Sequence, residues 1–294
     1  MQRFEFEWRI LEWLNNHSNN FLTTFFQIIT ILGGELILIG IVGFIYYCID
    51  KEKGEQIGFV ALTAVLLNNA LKSVINAKRP LEYEGKEYLQ KLPTDTVSAT
   101  GSSFPSGHSQ NTAALYTISS LYLKKKWFTI VSILLIILVP ISRLYLAVHF
   151  PTDVFVGTII GLITAIGLYF LIEYFKKKEI NKFNLYFAIL IIFLPFLFFN
   201  KTADLFKGYG LFLGFVLGIL IENNYINFSM NVPIWKKALR IIIGAVIILS
   251  IKEGLKLIFP KSLMMDTIRY SLISLSSIGL FPFFFKSNRF KRGL

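Results

Sequence analysis

Between Phe21 and Phe285 one pattern recurs: a long run of apolar positions, then a short polar loop in which lysine is common. A helix of about 20 apolar residues crosses roughly 30 Å of hydrocarbon while satisfying its own backbone hydrogen bonds. The pattern therefore predicts an all-α, polytopic membrane helix bundle of about nine spans. They fall at roughly 21–48, 56–77, 107–123, 127–145, 152–175, 183–199, 208–221, 238–259 and 264–285. Ahead of them, Phe4, Trp8, Leu11 and Leu14 recur on one helical face, with Arg3, Glu5, Glu7 and Glu12 elsewhere, the period of an amphipathic helix lying at a membrane interface. The expected organisation is an interfacial helix over 1–20, a six-helix core over 21–200 and a three-helix extension over 201–294. A basic leading region and a small-residue cleavage site are both missing before Phe21, so the first span is expected to be retained.

Composition agrees with the pattern, since 54% of the 294 residues are hydrophobic and 16% charged, which leaves no material for a separate soluble domain. A net charge of +12 would suggest nucleic acid in a soluble protein. Here the lysines fall in loops between spans, where positive charge sets orientation, and no nucleic-acid partner is expected. Alternating the spans gathers half of the thirty Lys and Arg on one side: Lys51, Lys53, Lys124, Lys125, Lys126, Lys176, Lys177, Lys178, Lys182, Lys236, Lys237, Lys286, Arg289, Lys291 and Arg292. That side is expected to be cytoplasmic, with the amino terminus outside and, for an odd number of spans, the carboxyl terminus inside. Cys48 is the only cysteine and stands between apolar neighbours, so packing is its expected role.

This topology places three distant clusters on the outer side. Lys72 and Arg79-Pro80 end the second span, Pro105-Ser106-Gly107-His108 opens the third, and Ser142-Arg143 with His149 and Asp153 joins the fourth to the fifth. Lys72, Arg79 and Arg143 form a cationic pocket whose guanidinium forks match phosphate oxygens. Ser106 and Gly107 lead into a helix whose free N–H groups can point at the same anion, and glycine allows close backbone approach. Asp153 follows His149 by four residues, near enough to hold its Nδ1–H and leave Nε2 as a nucleophile. His108 is then available as general acid. His17, in a polar asparagine-rich stretch, reads as a solvated loop residue.

The whole set, with Lys72 six intervening residues before Arg79-Pro80, an unbroken Pro105-Ser106-Gly107-His108, and Ser142-Arg143 followed after five intervening residues by His149 and after three more by Asp153, resembles the type-two phosphatidic acid phosphatase superfamily over roughly residues 21 to 200. The resemblance implies that Lys72, Arg79, Ser106, Gly107 and Arg143 bind phosphate, and that His149, His108 and Asp153 are nucleophile, acid and orienter. It implies no metal and no cofactor. The expected activity is metal-independent hydrolysis of a lipid phosphate or isoprenyl diphosphate through a phosphohistidine intermediate at the outer face of the cell membrane. Phosphotransfer between lipids and hydrolysis of a soluble sugar phosphate are the alternatives. A lipid carrier could use the cationic pocket but would not need His108 or the Asp153–His149 pair. Glu35 reads as an intramembrane carboxylate that either bonds Asn68 or Asn69 or handles substrate. Lys252, Glu253 and Lys256 read as structural pairs, and Glu82, Glu84 and Glu87 as solvated.

Overall fold

A computed structural model describes residues 3–90, 101–199 and 201–285. Lys91 on one side of the charge pattern, and Lys286, Arg289, Lys291 and Arg292 on the other, lie outside the described residues. The chain runs through α1 (Glu5–Asn16), α2 (Asn20–Leu32), α3 (Glu35–Phe44), α4 (Lys51–Ile75), α5 (Gly107–Leu123), α6 (Lys126–Tyr145), α7 (Pro151–Lys177), α8 (Lys182–Phe199), α9 (Ala203–Ile221), α10 (Ile234–Ile258) and α11 (Leu263–Leu275), with no strand among the described residues. The all-α expectation therefore holds. Six helical stretches are long and apolar enough to cross a membrane, and α2 with α3, bent by 48° at Gly33-Gly34, makes a seventh if counted as one broken span. The count of about nine adds α5 and α10. α5 has 17 residues, and α10 interrupts its apolar run with Arg240, Lys252 and Glu253.

Contacts divide the chain into two units, residues Met1–Gly40 with Leu67–Tyr174, and Ile41–Leu66 with Phe175–Leu294, the cuts falling within α3, α4 and α7. In the first unit α5 is the central element, with Ser109 through Tyr116 buried without interruption. α7 packs onto it through glycine: a Cβ at Gly157 would come within 2.7 Å of the Ser106 carbonyl oxygen. At the bend, a Cβ at Gly33 would meet Val139 Cγ1 at 2.5 Å and Thr112 Oγ1 at 2.8 Å, so the glycine admits α5 and α6 side by side. Side chains on the outward face of α7, among them Phe155, Ile163 and Phe170, are exposed and suited to lipid.

α1 lays Trp8, Leu11 and Leu14 on this same unit. Trp8 meets Tyr83 and Phe150 edge-on at 5.2 and 4.8 Å, Leu11 joins Leu89, Ala147 and Phe150, and Leu14 packs on Tyr145, Leu146 and Val148. Phe4, Phe6, Ile10 and Trp13 remain exposed.

In the second unit α9 and α11 approach closely where Gly210 and Gly214 face the Thr267 and Ser271 backbone. Buried Glu55 accepts from Lys182 at 2.7 Å and from the Tyr186 hydroxyl at 2.8 Å, and buried Glu222 pairs with Lys51 at 2.5 Å. Glu253 and Lys256 pair within α10 at 3.5 Å, as the sequence suggests. Cys48 sits in a π-helical turn with Sγ 3.5 Å from the Lys237 carbonyl.

Candidate active site

Four chain segments of the first unit meet at one place: the end of α4, the Gly101–Ser106 stretch leading into α5, the end of α6, and the turn from Leu146 to Pro151 that opens α7. Backbone bonds tie them. Ser103 N donates to the Ala77 carbonyl at 2.8 Å, Ala77 N to Ser102 Oγ at 2.8 Å, and Ser106 N to the Asp153 carbonyl at 3.0 Å. The pre-proline peptide at Phe104-Pro105 is cis. Ser106 is the N-cap of α5: its hydroxyl oxygen accepts from Ser109 Oγ at 3.0 Å and faces Ser109 N, so this predicted phosphate ligand also holds the helix start.

Arg79 follows the end of α4 and turns inward, 6% exposed. Its Nε donates to the Gly101 carbonyl at 3.0 Å and its Nη1 to the Val148 carbonyl at 3.0 Å, and the same Nη1 stands 3.2 Å from His149 Nε2. An arginine can only donate, so Nε2 accepts and the ring proton of neutral His149 belongs on Nδ1. Nδ1 faces Ser103 Oγ at 3.4 Å and Asp153 Oδ2 at 3.5 Å. That is ion-pair reach, longer than the short hydrogen bond the i, i+4 spacing suggests. The Asp153 carboxylate is fully buried and well supplied with donors: Phe150 N at 2.9 Å and the Ser103 hydroxyl on Oδ2, and Arg3 Nη1 at 2.7 Å on Oδ1.

Arg143, 1% exposed at the end of α6, donates to Thr30 Oγ1 of α2 at 2.8 Å. Lys72 ends α4 with its ammonium near Gly107, where a Cβ would lie 3.8 Å from Nζ and 3.0 Å from Asn68 Oδ1. Asn68 in turn donates to Gln110 Oε1 at 2.8 Å and to the Pro105 carbonyl at 3.3 Å. His108, in the first turn of α5, lies within the fields of Arg143, His149, Lys72 and Arg79. All eight predicted residues are thus gathered in one neighbourhood. Burial, and after it the charges of Arg79, Arg143 and Lys72, hold His149 well below the ordinary imidazole range, which favours the neutral ring.

Sequence reasoning did not find Arg3, Ser103 or Thr30. Ser103 sits two residues before Pro105 and Thr30 is a lone hydroxyl in an apolar run, weak signals in isolation. Glu35 stands in the first turn of α3, at the bend rather than inside an unbroken span, where a helix N-terminus favours a carboxylate. Asn68, one of its two suggested partners, bonds Gln110 and Pro105. His17 is exposed at the end of α1, its Nδ1 2.8 Å from the Trp13 carbonyl. Glu82 accepts from Arg79 N at 2.7 Å.

Comparison with known proteins identifies the family. The PAP2 superfamily model matches residues 55–177, which hold every one of the eight site residues, and the model for the PAP2 superfamily phosphatase transmembrane extension matches 206–292. The chain belongs to the PAP2 superfamily. Among curated relatives, the phosphatidylglycerophosphatase B of Bacillus subtilis is 36% identical over 117 residues, covering 36% of this chain and 56% of that protein. An undecaprenyl-diphosphatase of Sulfolobus acidocaldarius is 33% identical over 99 residues, covering 33% of this chain and 45% of that protein. The chain therefore spans about half the length of these two relatives. The crystal structure of Aquifex aeolicus LpxE is similar with a TM-score of 0.50 and 26% identity, covering 57% of this chain and 98% of that one. Membership, the transmembrane extension and the apolar helices make this PAP2 chain a multi-span membrane protein.

Proposed function

We propose that this PAP2 protein is a membrane phosphatase that hydrolyses a lipid phosphomonoester or isoprenyl diphosphate, with His149 as nucleophile, His108 as general acid and Asp153 as orienter. The observation that carries the reading is the two-sided environment of His149: Nε2 meets an Arg79 donor at 3.2 Å while Nδ1 faces Asp153 at 3.5 Å. An anionic phosphoryl group that takes up Arg79 would stand beside the Nε2 lone pair. Lys72, Arg143, Ser106 and the Gly107 N–H supply the remaining positive charge and donors.

The Nε2 lone pair attacks phosphorus, the bond to the leaving oxygen breaks, and His108 gives that oxygen its proton. The imidazolium formed on His149 is balanced by Asp153. Water then attacks phosphorus, loses its proton to His108, and the P–N bond breaks to release phosphate. The pocket gathers the cations Lys72, Arg79 and Arg143, and the oxygens of its carboxylate, Asp153, are engaged by Arg3 and Ser103, so it offers few oxygen ligands to a hard ion such as Mg2+. A lipid substrate is favoured by the names of the relatives and by helices that would hold a head group at bilayer depth. The charge pattern supports an extracytoplasmic site in the cell membrane. Exposed Phe4, Phe6, Ile10 and Trp13 suit α1 to the interface, and the family matches support a phosphatase core within 21–200 followed by an extension over 201–294.

Phosphate release by detergent-purified protein tests the reading against phosphatidate, phosphatidylglycerophosphate, an isoprenyl diphosphate and a sphingoid phosphate, with a sugar phosphate alongside. At least one lipid should be turned over in EDTA, and His149→Ala should abolish release while the protein stays folded. Normal release by His149→Ala, or loss in EDTA restored by a divalent ion, would overturn the mechanism.

A further inference from the structure

Arg3 and Asp153 are separated by 150 residues, yet Arg3 Nη1 donates to Asp153 Oδ1 at 2.7 Å and to Thr152 Oγ1 at 3.3 Å, and Nη2 stands 3.5 Å from the Lys78 carbonyl. The pair is buried, with 2% of the Arg3 side chain and none of the Asp153 side chain exposed. The guanidinium lies 4.1 Å above the Phe150 ring, which shields the contact further. One turn on, Glu7 makes a second tie to the same place: its Oε1 accepts from Thr152 Oγ1 at 2.6 Å and Thr152 N at 3.3 Å, and its Oε2 from Phe4 N at 3.0 Å. The start of α7, which carries Asp153, is thus fastened by the segment that opens α1. A buried carboxylate with an oxygen lacking a donor is costly, and here that oxygen is the one turned away from His149.

We infer that Arg3 is a positioning residue for the reaction: by holding Oδ1 it fixes the Asp153 carboxylate so that Oδ2 stays on the Nδ1 side of His149, and the amino-terminal segment thereby completes the site. This rests on the roles proposed for His149 and Asp153. In the attack step His149 gains positive charge, and its stabilisation requires Oδ2 in place. Phosphate binding draws on Lys72, Arg79 and Arg143 instead. Loss of the Arg3 contact therefore acts on kcat and leaves KM nearly unchanged. A lysine restores charge and a donor to the same place.

The test compares wild type with Arg3→Lys, Arg3→Met, Asp153→Asn and the Arg3→Met/Asp153→Asn pair in detergent, on a lipid phosphate that the wild type hydrolyses, recording kcat, KM and Tm. Arg3→Met should lower kcat about 10- to 100-fold with KM within about threefold, and Arg3→Lys should recover most of the loss. Because Arg3 acts through Asp153, adding Arg3→Met to Asp153→Asn should cost less than about threefold more. Arg3→Met within about twofold of wild type, a loss carried by KM, or a full multiplicative loss in the pair would overturn the inference. Should Arg3→Met not fold, Arg3→Gln replaces it and the same outcomes decide. The two readings fail separately: an unchanged Asp153→Asn defeats the site assignment, whereas a slow Asp153→Asn beside a normal Arg3→Met defeats only the role of Arg3.

Discussion

At His149 the two ring nitrogens face opposite kinds of neighbour, Arg79 on Nε2 and the Asp153–Ser103 pair on Nδ1. Arg143, Lys72 and His108 also lie within its surroundings, each cationic or able to become so. A ring so placed resists protonation, and its downward shift from the ordinary imidazole value comes from burial first and from the cations second. The protonated ring has no lone pair for phosphorus, so activity is lost as pH falls through the free-enzyme pKa of His149. Since that pKa is lowered, the acid limb of kcat/KM should lie below about 6.5. A kcat/KM profile whose acid limb lies above that value would show that the cations do not control the nucleophile. The eight residues named from the sequence could be read because each belongs to a local cluster with a chemical signature. Arg3 could not, because nothing near it in the chain indicates a partner 150 positions away, and Thr30 drew no notice because a hydroxyl inside an apolar helix normally bonds its own backbone.

The helices set the site's geometry through how closely they approach. The Asp153-bearing start of α7 reaches the cap of α5 because Gly157 leaves no Cβ between them, and the Ser106 N to Asp153 carbonyl bond of 3.0 Å depends on that approach. Gly157→Ala would set a methyl 2.7 Å from the Ser106 carbonyl oxygen and 3.3 Å from its nitrogen, both backbone atoms that cannot swing aside. Overpacking of this kind costs about 1–3 kcal/mol, and here it would also separate His149 and Asp153 from the α5 cap. Gly157→Ala should lower both Tm and kcat, while alanine at Gly167, whose Cβ would meet nothing within 4 Å, should leave both near wild type. Equal behaviour of the two variants would remove the close approach as the reason for the glycine. Hydropathy was enough to find every helix over the apolar runs, because length and apolarity are what a bilayer demands. It did not reveal the bend at Gly33-Gly34, where the side chains of Val139 and Thr112 crowd in, since that crowding exists only once α5 and α6 are folded beside it. Nor did it foresee that Trp8, Leu11 and Leu14 would be covered by the protein itself, because an amphipathic stripe fits a membrane surface and a protein surface equally well.

For the molecule as a whole, orientation in the membrane decides which leaflet supplies the substrate. The positive-inside rule expects the lysine-rich loops, such as Lys124–Lys126, in the cytoplasm, and on the proposed orientation Arg79, His108 and His149 face outside. In a Cys48→Ser background, a cysteine at Glu84, exposed in the loop after α4, should react with a membrane-impermeant maleimide on intact cells. A cysteine at Lys125 should react only after permeabilisation, and the reverse pattern would assign the chemistry to the cytoplasmic leaflet. In the proposed mechanism phosphate passes through a covalent bond to His149. Rapid alkali quenching of the reconstituted protein during turnover, followed by intact-mass measurement and peptide mapping under alkaline conditions, can catch that bond. One phosphoryl group, stable to alkali and labile to acid, is expected on the peptide containing His149 and none on the His149→Ala protein. A phosphoryl group on another residue, or turnover by His149→Ala with none formed, would contradict it.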